Sequence, residues 1–227
     1  MRRVGTLTLA GAFAMLPGAA IACALELILA MDVSGSVDER EFLLQIGGLA
    51  NAFETEALAK AVGSLEGGMI VTLTQWSGNS RQRQTTGWHR VSDAESLTAF
   101  ADIARGSRRI WRNFSTAIGE ALSHAEAVSA TAPVACRRRV IDVSGDGVSN
   151  EGQPPRRVAD RLAAKGYVVN GLAIQGADPD PVVHYEAEVI AGPGAFVEVA
   201  ADFDDYPRAI LRKLLREIDA PLMVSER

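Results

Sequence analysis

The sequence predicts an α/β protein with a doubly wound, mostly parallel sheet covered by helices on both faces. Three observations carry this expectation. Strand-like and helix-like hydrophobic periods alternate along the chain. Several strand segments are continuous apolar runs rather than alternating ones, as strands buried on both faces require. No repeat, linker or low-complexity break interrupts the alternation, which points to one domain.

The elements follow in order. Leu25 to Met31 is an apolar run broken only by Glu26, as a buried strand requires, and Phe42, Leu43, Ile46, Leu49, Ala50 and Phe53 then recur at helical spacing. Met69 to Trp76 reads as a strand and Gln82 to Val91 as a more polar one near an edge. Ser92 and Glu95 form a capping box ahead of Leu97, Phe100, Ala101 and Ala104, and Gly106 closes that helix. Thr116 to Val128 is helical, with Ile118, Ala121, Leu122 and Ala125 on one face, and Arg139 to Ser144 is a strand. Pro154 and Pro155 open a helix carrying Val158, Leu162 and Ala163, which Gly166 ends. Tyr167 to Ile174 is a strand, Val182 to Ala191 a helix and Ala195 to Ala200 a short strand. The last helix, Pro207 to Ile218, turns Ile210, Leu211, Leu214, Leu215 and Ile218 inward.

Residues 1–22 read as a secretory leader. Arg2 and Arg3 precede the apolar stretch Val4 to Ala19, and Ala20-Ile21-Ala22 supplies a small-x-small cleavage pattern. The expected mature chain is therefore 23–227, about 205 residues, exported to the periplasm or secreted. No later stretch is apolar for long enough to span a bilayer. Without Arg2 and Arg3 the charge balance is 21 basic against 28 acidic residues. That acidic balance argues against a general nucleic-acid binder, which needs a basic stripe.

In such sheets, sites form where loops leave the carboxyl ends of central strands. "DVSGS" places Asp32, Ser34 and Ser36 at one such end, "NFSTAIGEAL" offers Ser115 and Thr116, and "VIDVSGDGVSN" bares Asp146 in a Gly-Asp-Gly turn. If the strands before Asp32 and Asp146 are neighbours, two carboxylates emerge side by side, and each resists ionising without a cation. Hydroxyls and carboxylates, with no His or Cys, form a hard-oxygen set suited to Mg²⁺, Mn²⁺ or Ca²⁺ rather than zinc.

Asp32-x-Ser34-x-Ser36, Thr116 in Thr-x-x-Gly-x-Ala-Leu and Asp146 in Gly-Asp-Gly resemble the metal-ion-dependent adhesion site of von Willebrand factor type A domains. The resemblance covers the mature chain in element order. It is closer still to a bacterial exported subgroup of unassigned function. It implies that Ser34 and Ser36 ligate through their hydroxyls, and that Thr116 binds directly or through water. Asp32 and Asp146 would supply charge, mostly through bridging waters. One position would stay open for an outside oxygen, often a carboxylate of a partner protein. One departure is that many members carry Thr-Asp-Gly at the second acidic turn, where this chain has Ser144-Gly145-Asp146-Gly147.

Plainer readings stand beside these. Ser36 with Glu39 also spells a capping box, Ser115 or Thr116 can cap a helix, and Asp146 can be a turn aspartate. Asp142, inside a strand, is expected to be structural. Arg105, Arg108, Arg109 and Arg112 either steer an acidic ligand or form a solvated basic loop. Trp76 is expected in the core and Trp111 at an interface.

Cys23 lies nine residues before Asp32 and Cys136 ten before Asp146. Parallel neighbouring strands ending at one ion would start both cysteines from the same lower edge, which favours a disulfide. The alternative is a lipidated Cys23 behind an imperfect lipobox, which usually has Leu where Ala20 stands.

The leading functional expectation is a non-enzymatic, metal-dependent binding module. A hydrolase acting through Asp32 is a second reading. It lacks the usual second Asp two residues on, where Ser34 stands, and no Lys lies between Lys60 and Lys165 for a phosphate. A scaffold that the ion merely stabilises is the third. His89, His124 and His184 fall in separate elements, and no nucleophile elbow, Walker loop or dinucleotide fingerprint occurs.

Overall fold

The computed structural model describes residues 23–219, so the leader expected over 1–22 and the last eight residues lie outside the described residues. Strand β1 (Cys23–Asp32) is buried at all ten positions, and its alternate side chains feed two different cores. Leu25, Leu27, Leu29 and Met31 face one layer of helices. That layer comprises α1 (Glu39–Phe53), α2 (Glu56–Gly63), α3 (Ala94–Arg105) and α7 (Tyr206–Asp219). Ile28 and Ala30 face the other, built from α4 (Ile118–Ser129) and α5 (Pro155–Ala164).

The sheet has seven strands among the described residues. β2 (Met69–Trp76) and β5 (Cys136–Gly145) flank β1 in parallel, β6 (Tyr167–Ile174) and β7 (Val197–Ala200) continue in parallel beyond β5, and β3 (Gln82–Gln84) and β4 (His89–Val91) both run antiparallel along β2. The doubly wound, mostly parallel class expected from the sequence is therefore the class observed. The chain winds away from β1 on one side towards β2 and returns on the other through β5, so the switch in strand order falls between β1 and β5.

Several boundaries differ from the sequence-based expectation, each for a local reason. The strand expected over Gln82–Val91 is split, because Thr86 Oγ1 accepts from the Leu73 amide (2.9 Å) and replaces a backbone rung. Helix α2, not anticipated, is capped by Thr55 and buries Leu58, Ala61 and Val62. The capping box of α3 is Asp93 with Ser96 rather than Ser92 with Glu95. The helix expected over Val182–Ala191 is one α-turn, α6 (Pro181–His184), followed by a π-helix (Tyr185–Val189). The chain then returns to the sheet at Ala191, which exchanges backbone hydrogen bonds with Val169.

Cys23 and Cys136 are register partners on β1 and β5 and are joined by a disulfide. Its sulfur committed there, Cys23 has no thiol to offer a lipid. The bond closes a sequence separation of 113 residues between the two central strands. At the middle of β5, buried Asp142 meets α7. Lys213 Nζ stands 2.7 Å from Asp142 Oδ1 and 2.6 Å from Glu217 Oε1, and Asn170 donates to the same Glu217 oxygen at 2.8 Å. One cation thus serves two buried carboxylates. Burial, with Glu217 adding repulsion against the attraction of Lys213, pushes the Asp142 carboxyl up to about 7. The structural role expected for Asp142 is the one it has.

Two predictions follow from this architecture. Replacing both cysteines by serine lowers stability by about 4–5 kcal/mol in chain-entropy terms, read from denaturant unfolding of the oxidised protein. The folded pKa of Asp142 lies above its unfolded value, so the fold binds the extra proton between about pH 4 and 7, and this group's contribution falls as pH rises through that window. Asp142→Asn removes that slope. Its melting temperature relative to the native protein should therefore climb from pH 5 to pH 8, and a constant difference would contradict the assignment.

Candidate metal centre

Asp32 is the last residue of β1, and Asp146 follows directly on β5. Parallel pairing of Met31 with Ser144 sends both chains out at one edge, and this register brings the two carboxylates together. Asp32 and Ser34 are fully buried, and Thr116 and Asp146 are nearly so (6% and 9% exposed), whereas Ser36 is exposed. The site is thus a buried acidic floor with a hydroxyl at its mouth.

A chain of contacts links all five sequence-predicted residues. Asp32 Oδ1 accepts from the Ser34 amide at 2.7 Å, Ser34 Oγ lies 3.2 Å from Ser36 Oγ, Ser36 donates to Asp146 Oδ1 at 2.7 Å, and Thr116 Oγ1 donates to Ser34 Oγ at 3.4 Å. Cis ligands of a Mg²⁺ held at 2.0–2.1 Å lie about 3 Å apart, so the hydroxyls stand a few tenths of an ångström wider than the edges of such an octahedron. Asp32 Oδ2 is buried with no hydrogen-bonding partner, an expensive state for a carboxylate oxygen unless a cation or donor faces it. The donor set fits a hard divalent cation. Among the described residues no group of three or more His, Cys, Asp or Glu side chains forms a rival centre.

The capping explanations for Ser36, Ser115 and Thr116 fail on geometry. Helix α1 is capped by Asp38 with Glu41, leaving Ser36 free of that duty. Helix α4 begins after Ala117 with no side-chain cap, so neither Ser115 nor Thr116 is spent there. Thr116 is instead fixed by its backbone, whose amide donates to Asn150 Oδ1 (2.9 Å) and whose carbonyl accepts from the Asn150 amide (2.9 Å).

Contacts that no spacing in the sequence reveals hold the loops. Arg109 Nη2 donates to the carbonyls of Val33 (3.3 Å) and Ser34 (2.8 Å) and braces the first loop from beneath. Arg105 pairs with Glu54 and Asp102, and Arg112 with Glu39. These three arginines of the basic cluster are therefore engaged with their own fold. His184 Nε2 accepts from the Ser149 amide at 3.1 Å, which ties the π-helix to the acidic turn. Trp76 is in the core as expected, donating to the Ala30 carbonyl. Trp111 packs against the core, and Phe114 (41% exposed) is instead the aromatic presented beside the site. Its backbone carbonyl accepts from the Gly35 amide at 2.8 Å.

Burial, with Asp146 close by, pushes the Asp32 carboxyl well above the usual carboxylate range. Burial also raises Asp146, against the hydrogen bond from Ser36. Both groups therefore retain protons in the ion-free fold that they lose in the unfolded chain, and stability falls as pH rises from the ordinary carboxylate range towards the raised values.

The fold is that of von Willebrand factor type A domains, as comparison with solved structures shows. Proximal thread matrix protein 1 from the mussel byssus, described with a zinc-occupied MIDAS motif, matches with a TM-score of 0.62 at 13% identity, over 87% of this chain and 46% of that one. A von Willebrand factor type A protein from Catenulispora acidiphila matches with a TM-score of 0.57 at 17% identity, over 87% and 43%. The pilus adhesin SpaC from Lactobacillus rhamnosus GG matches with a TM-score of 0.62 at 15% identity, over 87% and 31%. The chain spans less than half the length of these similar proteins. No curated protein matches it in sequence. The chain belongs to the family described as "Protein of unknown function (DUF1194)", which matches residues 22–222.

The repulsion between the two acids makes a prediction. In EDTA at pH 7, Asp32→Asn keeps the acceptor for the Ser34 amide but removes a group that folding forces either to bury a charge or to take up a proton. It should raise stability by about 1–3 kcal/mol, at roughly 2–4 °C per kcal/mol in a melt. A fall in melting temperature would show that the two acids do not oppose each other.

Proposed function

We propose that the protein is an exported, metal-dependent binding module that holds Mg²⁺ or Mn²⁺ (Ca²⁺ being the third hard-oxygen candidate) and captures a carboxylate of a partner protein. The observation that carries this reading is the convergence of Ser34, Ser36 and Thr116 on the Asp32–Asp146 pair at near-octahedral spacings, with Asp32 Oδ2 unpartnered. Ser34 and Ser36 would hold the ion through their hydroxyls, with Thr116 direct or through water, and the two acids would neutralise it. A bound cation supplies a Lewis-acidic point that an anionic oxygen can approach from the exposed side, where Ser36 and Phe114 lie.

The mussel protein's zinc-occupied site and the adhesin role of SpaC support the class of activity. A disulfide between the central strands fits an oxidising, exported setting. Full burial of Asp32 leaves a phosphoester no approach to that carboxylate as a nucleophile, which favours binding over hydrolysis. Among the described residues no helix is long and apolar enough to cross a membrane.

The test is a thermal melt of the oxidised protein in EDTA and then in Mg²⁺ or Mn²⁺. An ion at a hundred times its dissociation constant should stabilise the fold by about 2.7 kcal/mol, and Asp146→Ala should abolish the response. Because protons and cation compete for the two acids, the apparent affinity should weaken as pH falls. No shift at millimolar ion would sink the metal reading. Binding of exported acidic proteins that persists in EDTA would sink carboxylate capture.

A further inference from the structure

The π-helix delivers one side chain to this site that no part of the resembling motif includes. Tyr185 is fully buried, and its hydroxyl, like Asp32 Oδ2, finds no hydrogen-bonding partner. Two such oxygens among the several in the described residues would ordinarily be two separate costs. Here they are neighbours. A Cβ placed on Gly145 would lie 2.7 Å from Tyr185 Oη and 2.8 Å from Asp32 Oδ2, so both atoms border the same small space beside the acidic turn. Gly145 stands where many domains of the resembling family carry Thr, and the space its missing side chain leaves is where the phenol hydroxyl arrives.

We propose that Tyr185 is a positioning residue of the metal centre, its hydroxyl donating to Asp32 Oδ2, directly or through one water, when the ion is held. This inference rests on the metal-binding reading above. Its chemistry is complementary: a phenol offers one donor, and a carboxylate oxygen only accepts. Burial and the nearby Asp32, Asp146 and Asp142 hold the phenol in its neutral form, so its proton stays available to donate. Fixing Oδ2 leaves Oδ1 bound to the Ser34 amide and sets the plane of the carboxylate, the kind of outer contact that tunes a metal ligand.

The architecture around Tyr185 is built for that placement. Gly171 on β6 admits the ring, since a Cβ there would meet Tyr185 Cδ1 at 2.6 Å. The preceding residue, His184, is anchored to the Ser149 amide, and the widened π-turn closes through the Ile190 amide to the Tyr185 carbonyl at 3.1 Å. Two glycines on adjacent strands therefore clear the path for one hydroxyl. Packing alone would need only a phenylalanine.

The test compares the native protein with Tyr185→Phe, titrating Mg²⁺ or Mn²⁺ by calorimetry and melting both proteins in EDTA. If the hydroxyl acts on Asp32, the Phe variant loses about tenfold or more in ion affinity, yet melts in EDTA at or above the native temperature because a buried orphan has been removed. A purely structural hydroxyl would instead lower the EDTA melt and leave affinity unchanged, and that result overturns the proposal. Gly145→Ala is the second variant. Its methyl group intrudes between the two oxygens and should weaken ion binding even if the fold yields a few degrees. Undiminished affinity in both variants, with the native protein binding normally, overturns the role of Tyr185 alone. No binding by the native protein overturns it together with the metal centre.

Discussion

The pairing of β1 with β5 is the constraint on which the rest of the structure depends. It is a parallel contact between two largely buried strands, tied at its lower end by the Cys23–Cys136 disulfide and ending above at Asp32 and Asp146. A slip of one residue would turn Leu27 and Leu29 towards the wrong helical layer, so the two hydrophobic cores fix the register. The same register forces two carboxylates into one poorly solvated corner. The fold thus accepts an electrostatic cost at the place where a divalent cation would relieve it.

The two faces of that strand pair are used differently. On the α7 side, Asp142 is answered within the protein by Lys213, which also meets Glu217, and Asn170 donates to that same Glu217 oxygen. At the carboxyl edge the acids meet hydroxyls, and the nearby arginine is occupied with backbone carbonyls. Asp142 lies on β5 and Asp32 ends β1, and only Asp142 has a protein cation in contact. That asymmetry distinguishes the two acids more clearly than burial does, since Asp142 and Asp32 are equally buried.

Loop bracing explains why short polar side chains at the edge keep their positions. Arg109 ties down the first loop, Asn150 the second, and His184 links the acidic turn to the π-helix. These contacts leave the hydroxyls of Ser34, Ser36 and Thr116 to one another and to Asp146. Arg109 was legible from sequence only as one of a basic cluster, because nothing in the spacing of arginines tells which will find a carbonyl. Hydrophobic period is equally blind to a side chain that stands in for backbone. Thr86 broke an expected strand by occupying a ladder position.

The sequence by itself determined the layering, most of the elements and the placing of five oxygen-bearing residues at the loops of one edge, because continuous apolar runs and helical periods are local patterns and strand ends mark where loops emerge. The cysteine pairing was legible for a related reason: nearly equal distances along parallel strands, nine and ten residues, survive folding. Only the tertiary structure decided that Asp142 has a lysine and Asp32 Oδ2 has none, that Phe114 rather than Trp111 lies exposed beside the site, and that Tyr185 reaches the acidic turn. Each of those depends on contacts between residues dozens of positions apart, across a sheet whose register no local period encodes.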